Sequence, residues 1–168
     1  HPVSVRWDPP RDRERLDAHV TRAVVDALAR DPGDVLVFLP GAAEIRRVAT
    51  AVGGTTLPSD VDIRPLYGAL AVADQDRALS PSPAGRRRVV LSTDIAESSL
   101  TVAGVRVVVD AGRARVPRMD PRSGLTRLET VAASRASADQ RAGRAGRTAP
   151  GVAVRLWREA DHATRPAH

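Results

Sequence analysis

Two periodicities alternate along the first two thirds of the chain. Asp34-Val35-Leu36-Val37-Phe38-Leu39 is a continuous apolar run bounded by turn residues, the pattern of a strand buried on both faces of a parallel sheet. Before it, Leu16, Val20, Ala23, Val24, Ala27 and Leu28 recur at helical spacing between Arg13 and Arg30, and Asp31-Pro32-Gly33 ends that helix. Val3–Trp7 alternates as a short strand or lead-in, broken by Pro9-Pro10. After the apolar run, Pro40-Gly41 opens a helix over Ala42–Val52, and Gly53-Gly54 with Pro58 marks a loop. The unit then repeats, with a strand at Val61–Tyr67, a turn at Gly68, a helix over Val72–Leu79 and a Pro/Ser loop over Ser80–Gly85. Further buried strands follow at Val89–Ser92 and Val105–Val109. Strand and helix in alternation predict an α/β domain with a parallel sheet. In such sheets ligands gather beyond the carboxyl ends of the strands. That edge carries Pro40-Gly41, Tyr67-Gly68, Ser92-Thr93 and Asp110, each of which also fits plain loop chemistry.

The pattern changes after Gly112. Arg113–Met119 and Leu125–Val131 are polar, alternating stretches around Asp120-Pro121-Arg122-Ser123-Gly124, a β-hairpin with a Pro/Gly turn and five arginines. Such a hairpin is either a charged, aggregation-resistant edge or a finger laid on nucleic acid. From Ser137 to Arg147 a helix would place Gln140, Arg144 and Arg147 at i, i+4 and i+7 on one face, with Ser137 and Gln140 as an S-x-x-Q capping box. One amide and two guanidiniums on a common stripe suit a phosphate chain, because arginine presents a rigid fork of donors. A solvated basic helix has the same pattern. Gly143 and Gly146 each cost a helix about 1 kcal/mol against alanine, which asks for close approach of backbone or ligand. Val152–Trp157 supplies a last strand, and Arg158–His168 lacks periodicity and is expected to fray.

Charge narrows the partner. All 26 basic residues are arginine, which weakens arginine count as a functional signal, but their distribution is uneven. Residues 1–85 carry net charge −2 and residues 86–168 net +8, pointing to a polyanion, either nucleic acid or nucleotide phosphates. The absence of cysteine excludes disulfides and thiol chemistry, and the absence of lysine excludes a P-loop. No apolar run reaches the ~20 residues of a membrane span, and no signal-peptide pattern opens the chain, which is compatible with a cytoplasmic location. His1, His19, His162 and His168 form no cluster of metal-ligand spacing, so no metal site is expected. Trp7 and Trp157 read as packing residues.

Together, Val35–Gly41 with Glu44-Ile45, Pro65–Leu70, Ser92–Thr101 and Gln140–Arg147 resemble motifs IV, IVa, V and VI of superfamily 2 helicases, specifically the DEAH-box branch. Order and spacing agree over residues 34–157, and the Ala78–Gly85 and Asp120–Thr126 stretches resemble the bacterial HrpB type. The resemblance implies a RecA-like three-layer sandwich with a mostly parallel central sheet and a protruding hairpin over 113–131. Residues 1–10 would be an interlobe linker, 11–157 the second RecA-like lobe, and 158–168 a tail toward a missing C-terminal region. It implies ATP with Mg2+ as cofactor, most of their contacts lying on a first lobe. Arg144 and Arg147 would be arginine fingers, Gln140 would place the attacking water or the γ-phosphate, and Thr101 would lie near the nucleotide. Gly41, Tyr67, Gly68, Ser92, Thr93 and Arg113 would line the track for single-stranded RNA or DNA. Three positions depart from the family pattern: Asp94 for the commoner asparagine, Ala103 for an acidic ribose contact, and Leu79 for a base-stacking aromatic.

The expected function is thus the second motor lobe of an ATP-dependent helicase, monomeric and inactive as a fragment. A basic α/β module that binds nucleic acid without ATP chemistry is the alternative. The helicase reading requires the Gln140, Arg144 and Arg147 face to be exposed and unpartnered, facing a cleft.

Overall fold

The computed structural model describes residues 1–168. Its core is one six-stranded parallel sheet built from β1 (Val3–Trp7), β2 (Asp34–Phe38), β3 (Val61–Leu66), β4 (Arg87–Ser92), β5 (Val105–Asp110) and β8 (Gly151–Arg155), in the order β1-β8-β5-β2-β4-β3. Successive side chains of a strand point to opposite faces, and β2 shows why its apolar run is unbroken. Val35 and Val37 enter the core beneath α1 (Leu16–Arg30) and α2 (Ala42–Gly53), whereas Leu36 and Phe38 enter the core of the opposite face. That second face is covered by α3 (Val72–Leu79), α4 (Ile95–Ser98) and α5 (Arg135–Gly143) through Ala78, Ala96 and Ala142. The result is the expected α/β RecA-like sandwich. An antiparallel hairpin, β6 (Arg113–Met119) with β7 (Thr126–Ala132), projects from it with a largely exposed outer half.

Arginines lock the amino-terminal edge of the sheet. Arg88, with no exposed surface, donates to the Asp34 carboxylate and to the carbonyls of Ala78, Ser80 and Ala103. It thereby ties the end of α3 to the loop before β5. Arg87 donates to the carbonyls of Leu28, Asp31 and Gly33, satisfying acceptors at the end of α1 that the helix leaves open. Arg86 pairs with Asp62 at 2.7 Å. All three are engaged by carbonyls or a carboxylate of the fold, Arg86 at the exposed surface.

Four expectations are corrected. Residues 1–10 are not simply a linker, because Val3–Trp7 is an edge strand of the sheet in register with Gly151–Arg155. The cap of α5 is Ser134, whose Oγ accepts from the Ser137 amide at 3.0 Å; the Ser137 hydroxyl is spent instead on the Glu97 carboxylate. The α-helix stops at Gly143 and tightens into a 3-10 turn over Arg144–Gly146. The tail is docked rather than frayed. It carries α6 (Glu159–His162), His162 packs on Trp157 and Trp7, and the amides of Arg135 and Ala136 donate to the carbonyls of Pro166 and Ala167.

Two glycine and carboxylate features make the fold testable. A Cβ at Gly146 would lie 2.6 Å from the His1 carbonyl oxygen and 2.7 Å from Val3 Cγ2, so the start of β1 and the residues leading into it exclude a side chain there. Gly146→Ala is expected to lower stability by about 1–3 kcal/mol in urea unfolding. Separately, Arg22 grips Glu14 and Asp8, and its hydrogen bonds hold the Glu14 pKa down to about 2. A carboxylate depressed in the folded state binds fewer protons there than when unfolded, so its contribution is complete above its unfolded pKa and lost as pH falls toward 2. Urea midpoints should fall between about pH 5 and 2, and Glu14→Gln should flatten that slope.

Candidate nucleotide and nucleic-acid site

In-register pairing aligns the strand ends. Phe38 stands opposite both Ser92 and Asp110, and Leu66 opposite Ser92. The loops that follow therefore bring Gly41, Tyr67-Gly68, Thr93 and Gly112-Arg113 to a single carboxyl edge. Gly41 begins α2 in extended backbone, and a Cβ there would lie 2.5 Å from Arg115 Nη1. That guanidinium comes from the hairpin and is anchored on Glu44 at 2.5 Å, so the hairpin root leans over the Gly41 turn. Gly68 is exposed with open space around it, and Gln75 organises its loop by donating to the carbonyls of Tyr67, Gly68 and Leu70. Thr93 is half-buried and Arg113 exposed. Ser92 is different: it is fully buried and its hydroxyl donates to the Thr93 carbonyl at 2.7 Å. Its side chain is already committed, which leaves Thr93 as the outward hydroxyl of the pair.

The α5 side carries the other group. Gln140 and Arg147 are exposed and make no side-chain hydrogen bond or ion pair, and Thr101 is exposed in the loop after α4. Arg144 departs from the expectation of an unpartnered face. It is half-buried, and its Nε (2.8 Å) and Nη2 donate to the Glu97 carbonyl. Burial lowers its pKa, the charge of Arg147 lowers it further, and Glu97 acts in the opposite sense. The fork of Arg144 is thus oriented by main chain, with Nη1 left free of that contact. Gly143 has nothing within 4 Å of a notional Cβ, so no part of this chain demands a glycine there.

Between the two groups lies a residue that the spacing argument passed over. Arg141 points inward, almost wholly buried, with Nε 3.0 Å from Glu97 Oε2 and Nη1 2.9 Å from Asp110 Oδ1. Its Nη1 and Nη2 also donate to the Arg113 carbonyl, and its Cζ lies 5.1 Å from the centre of the Phe38 ring. Burial opposes its charge, yet Asp110 and Glu97 outweigh that and its pKa is raised. Spacing gives little signal for this: at about 100° per residue Arg141 lies only about 60° from Arg144 around the helix, and its inward turn follows from its distant partners Glu97 and Asp110. Glu97, also passed over, takes Ser137 and Arg141 on its carboxylate and Arg144 on its carbonyl.

Of the second-half arginines, Arg113, Arg122, Arg127, Arg147 and Arg158 are exposed with no side-chain partner. Arg113, Arg122 and Arg127 stand on the hairpin and its turn, Arg147 follows the 3-10 turn after α5, and Arg158 precedes α6. The free arginines of the basic half are therefore concentrated on the hairpin, with single ones at Arg147 and Arg158. The chain has no cluster of three His, Asp or Glu side chains able to hold a metal ion, and no helix long and apolar enough to cross a membrane.

Known proteins resemble this chain in both sequence and fold. The family described as helicase conserved C-terminal domain matches residues 18–149. The chain is 49% identical to the ATP-dependent RNA helicase HrpB of Escherichia coli over 155 residues, covering 92% of this chain and 19% of that protein. It is 39% identical to the pre-mRNA-splicing factor ATP-dependent RNA helicase prp22 of Schizosaccharomyces pombe, over 95% of this chain and 14% of that one. The crystal structure of the E. coli DExH-box NTPase HrpB superposes with a TM-score of 0.94 at 46% identity, covering 99% of this chain and 20% of that chain. The chain thus spans about a fifth of the length of its HrpB relative. It belongs to the helicase conserved C-terminal domain family, as a RecA-like lobe of the DEAH-box, HrpB-like kind.

Proposed function

We propose that this chain is the second motor lobe of a cytoplasmic ATP-dependent RNA helicase, completing an ATP site whose other half lies on a first RecA-like lobe. The observation that carries the reading is the exposed, unpartnered pair Gln140 and Arg147 beside Arg144, in a lobe whose arginines are mostly engaged. Phosphoryl transfer needs positioning and charge stabilisation more than covalent chemistry from the protein, and preorganised guanidiniums supply both. Arg147, free at the face, and Arg144, aimed by the Glu97 carbonyl, act as arginine fingers. Gln140 places the water or the γ-phosphate, and Thr101 flanks the nucleotide. When bound, ATP supplies the phosphoanhydride whose hydrolysis drives movement, and Mg2+ would be held with its phosphates chiefly by the first lobe.

RNA runs along the carboxyl edge, on Gly41, Tyr67, Gly68, Thr93 and Arg113, through phosphate contacts that carry affinity without sequence preference. The hairpin over 113–131 separates strands. The family members above are called RNA helicases, which favours RNA over DNA as the polymer.

In the full-length parent, Arg147→Ala and Arg144→Ala are each expected to reduce the ATP turnover number by about 10³-fold or more while leaving RNA affinity near wild type. Steady-state hydrolysis and a filter-binding titration check this. Normal turnover in both variants, with salt-sensitive RNA binding intact, would establish the non-enzymatic binding module instead.

A further inference from the structure

The hairpin is held to the lobe at few points. Arg115 reaches Glu44, and Arg141 takes the Arg113 carbonyl. The remaining hold comes from the tail. Gly112 and Ala133 are the residues immediately before and after the two hairpin strands, and the Ala133 amide donates to the Gly112 carbonyl at 2.9 Å to close the root. Arg165 Nη1 donates to both bracketing carbonyls, at 2.7 Å to Gly112 and 2.9 Å to Ala133. Its guanidinium lies over the Trp157 ring with Cζ 3.9 Å from the centroid, so the fork is fixed in plane as well as in reach. Gly112 has φ +72°, and a Cβ there would meet Trp157 Cε3 at 2.5 Å and Arg165 Nη2 at 2.7 Å. Root, tryptophan and tail are therefore in direct contact, with no room for a side chain between them.

The next two tail residues touch the other functional element. The carbonyls of Pro166 and Ala167 accept from the amides of Arg135 and Ala136, in the first turn of α5. These are donors that a helix cannot satisfy internally. Residues 165–167 thus strap the hairpin root to the helix that carries Gln140, and they do so with an arginine that touches neither proposed ligand.

We propose that Arg165 is a positioning residue for strand separation: by clamping the two carbonyls that bracket the hairpin, it fixes the direction in which the hairpin leaves the lobe. The inference rests on the helicase reading. Loss of the clamp frees the root while the main-chain caps of α5 remain, so hydrolysis and unwinding part company. A residue that merely supported the fold would lower both together.

The test uses the full-length parent and its Arg165→Gln and Arg165→Lys variants, with RNA-stimulated ATP hydrolysis, duplex unwinding and hydrogen exchange of residues 113–132 measured on each. Arg165→Gln is expected to keep hydrolysis within about twofold, to unwind about fivefold less per ATP consumed, and to exchange its hairpin-root amides faster. Arg165→Lys keeps a donor but loses the planar stack on Trp157, and it should fall between the two. If the glutamine variant does not fold, the lysine variant decides alone: a lower ratio at unchanged hydrolysis supports the clamp, and a wild-type ratio overturns it. Equal losses of hydrolysis and unwinding in the glutamine variant, or no loss of either, also overturn it. A wild-type parent that hydrolyses no ATP overturns the helicase reading itself, an outcome distinct from any change between variants.

Discussion

Burying a guanidinium is costly unless carboxylates and carbonyls surround it, and the arrangement around Arg141 is the one on which the functional half of the lobe depends. Glu97 arrives from α4, Asp110 from the end of β5, and the Arg113 carbonyl from the first residue of the hairpin. Removing one member of such a buried pair typically costs about 3–5 kcal/mol, because the survivor is left charged and unpaired. One side chain therefore fixes the spacing between α4, α5, the sheet edge and the hairpin root. Glu97 extends the same network to Arg144 through its carbonyl. The Arg144 side of the lobe and the hairpin root at the carboxyl edge of the sheet are thus joined by contiguous polar contacts rather than by proximity alone.

Arginine use explains why net charge was only a partial guide. Arg86, Arg87 and Arg88 read as a basic run, yet each is consumed by carbonyls or carboxylates at the opposite edge of the sheet from the proposed RNA track. Arg155 is also taken up, pairing with Asp139 at 3.0 Å and lying over Trp7 and Trp157. In a chain with no lysine, arginine does the structural work that its multiple donors suit. What remains free is concentrated on the hairpin and at Arg147.

The sheet was legible because its central strands β2, β4 and β5 are buried on both faces and bounded by proline, glycine and aspartate, so β2 and α3 fall where the apolar runs and turn residues put them. Spacing put Gln140 and Arg147 outward, but it did not show that Arg144 is half-buried and bound to the Glu97 carbonyl beyond the end of α5. Arg141 was not singled out, since its partners lie 31 and 44 residues away and nothing local separates it from Arg144. The cap was misplaced because two serines three residues apart both fit a cap, and the choice was made by Glu97, which claims the hydroxyl of Ser137. The tail has no apolar face to show a period. It is held by single hydrogen bonds and by the packing of Trp7, Trp157 and His162.

Arg147, in the role proposed for it, stabilises charge that develops on the phosphates during hydrolysis. Interactions made chiefly in the transition state strengthen binding of its mimics more than binding of the ground state. The most direct measurement is the affinity of the full-length parent for ADP–aluminium fluoride and for a non-hydrolysable ATP analogue, with and without Arg147→Ala. Arg147→Ala should weaken binding of the mimic by about a hundredfold and change binding of the analogue little; equal losses for both, or none for either, would rule out that role for Arg147.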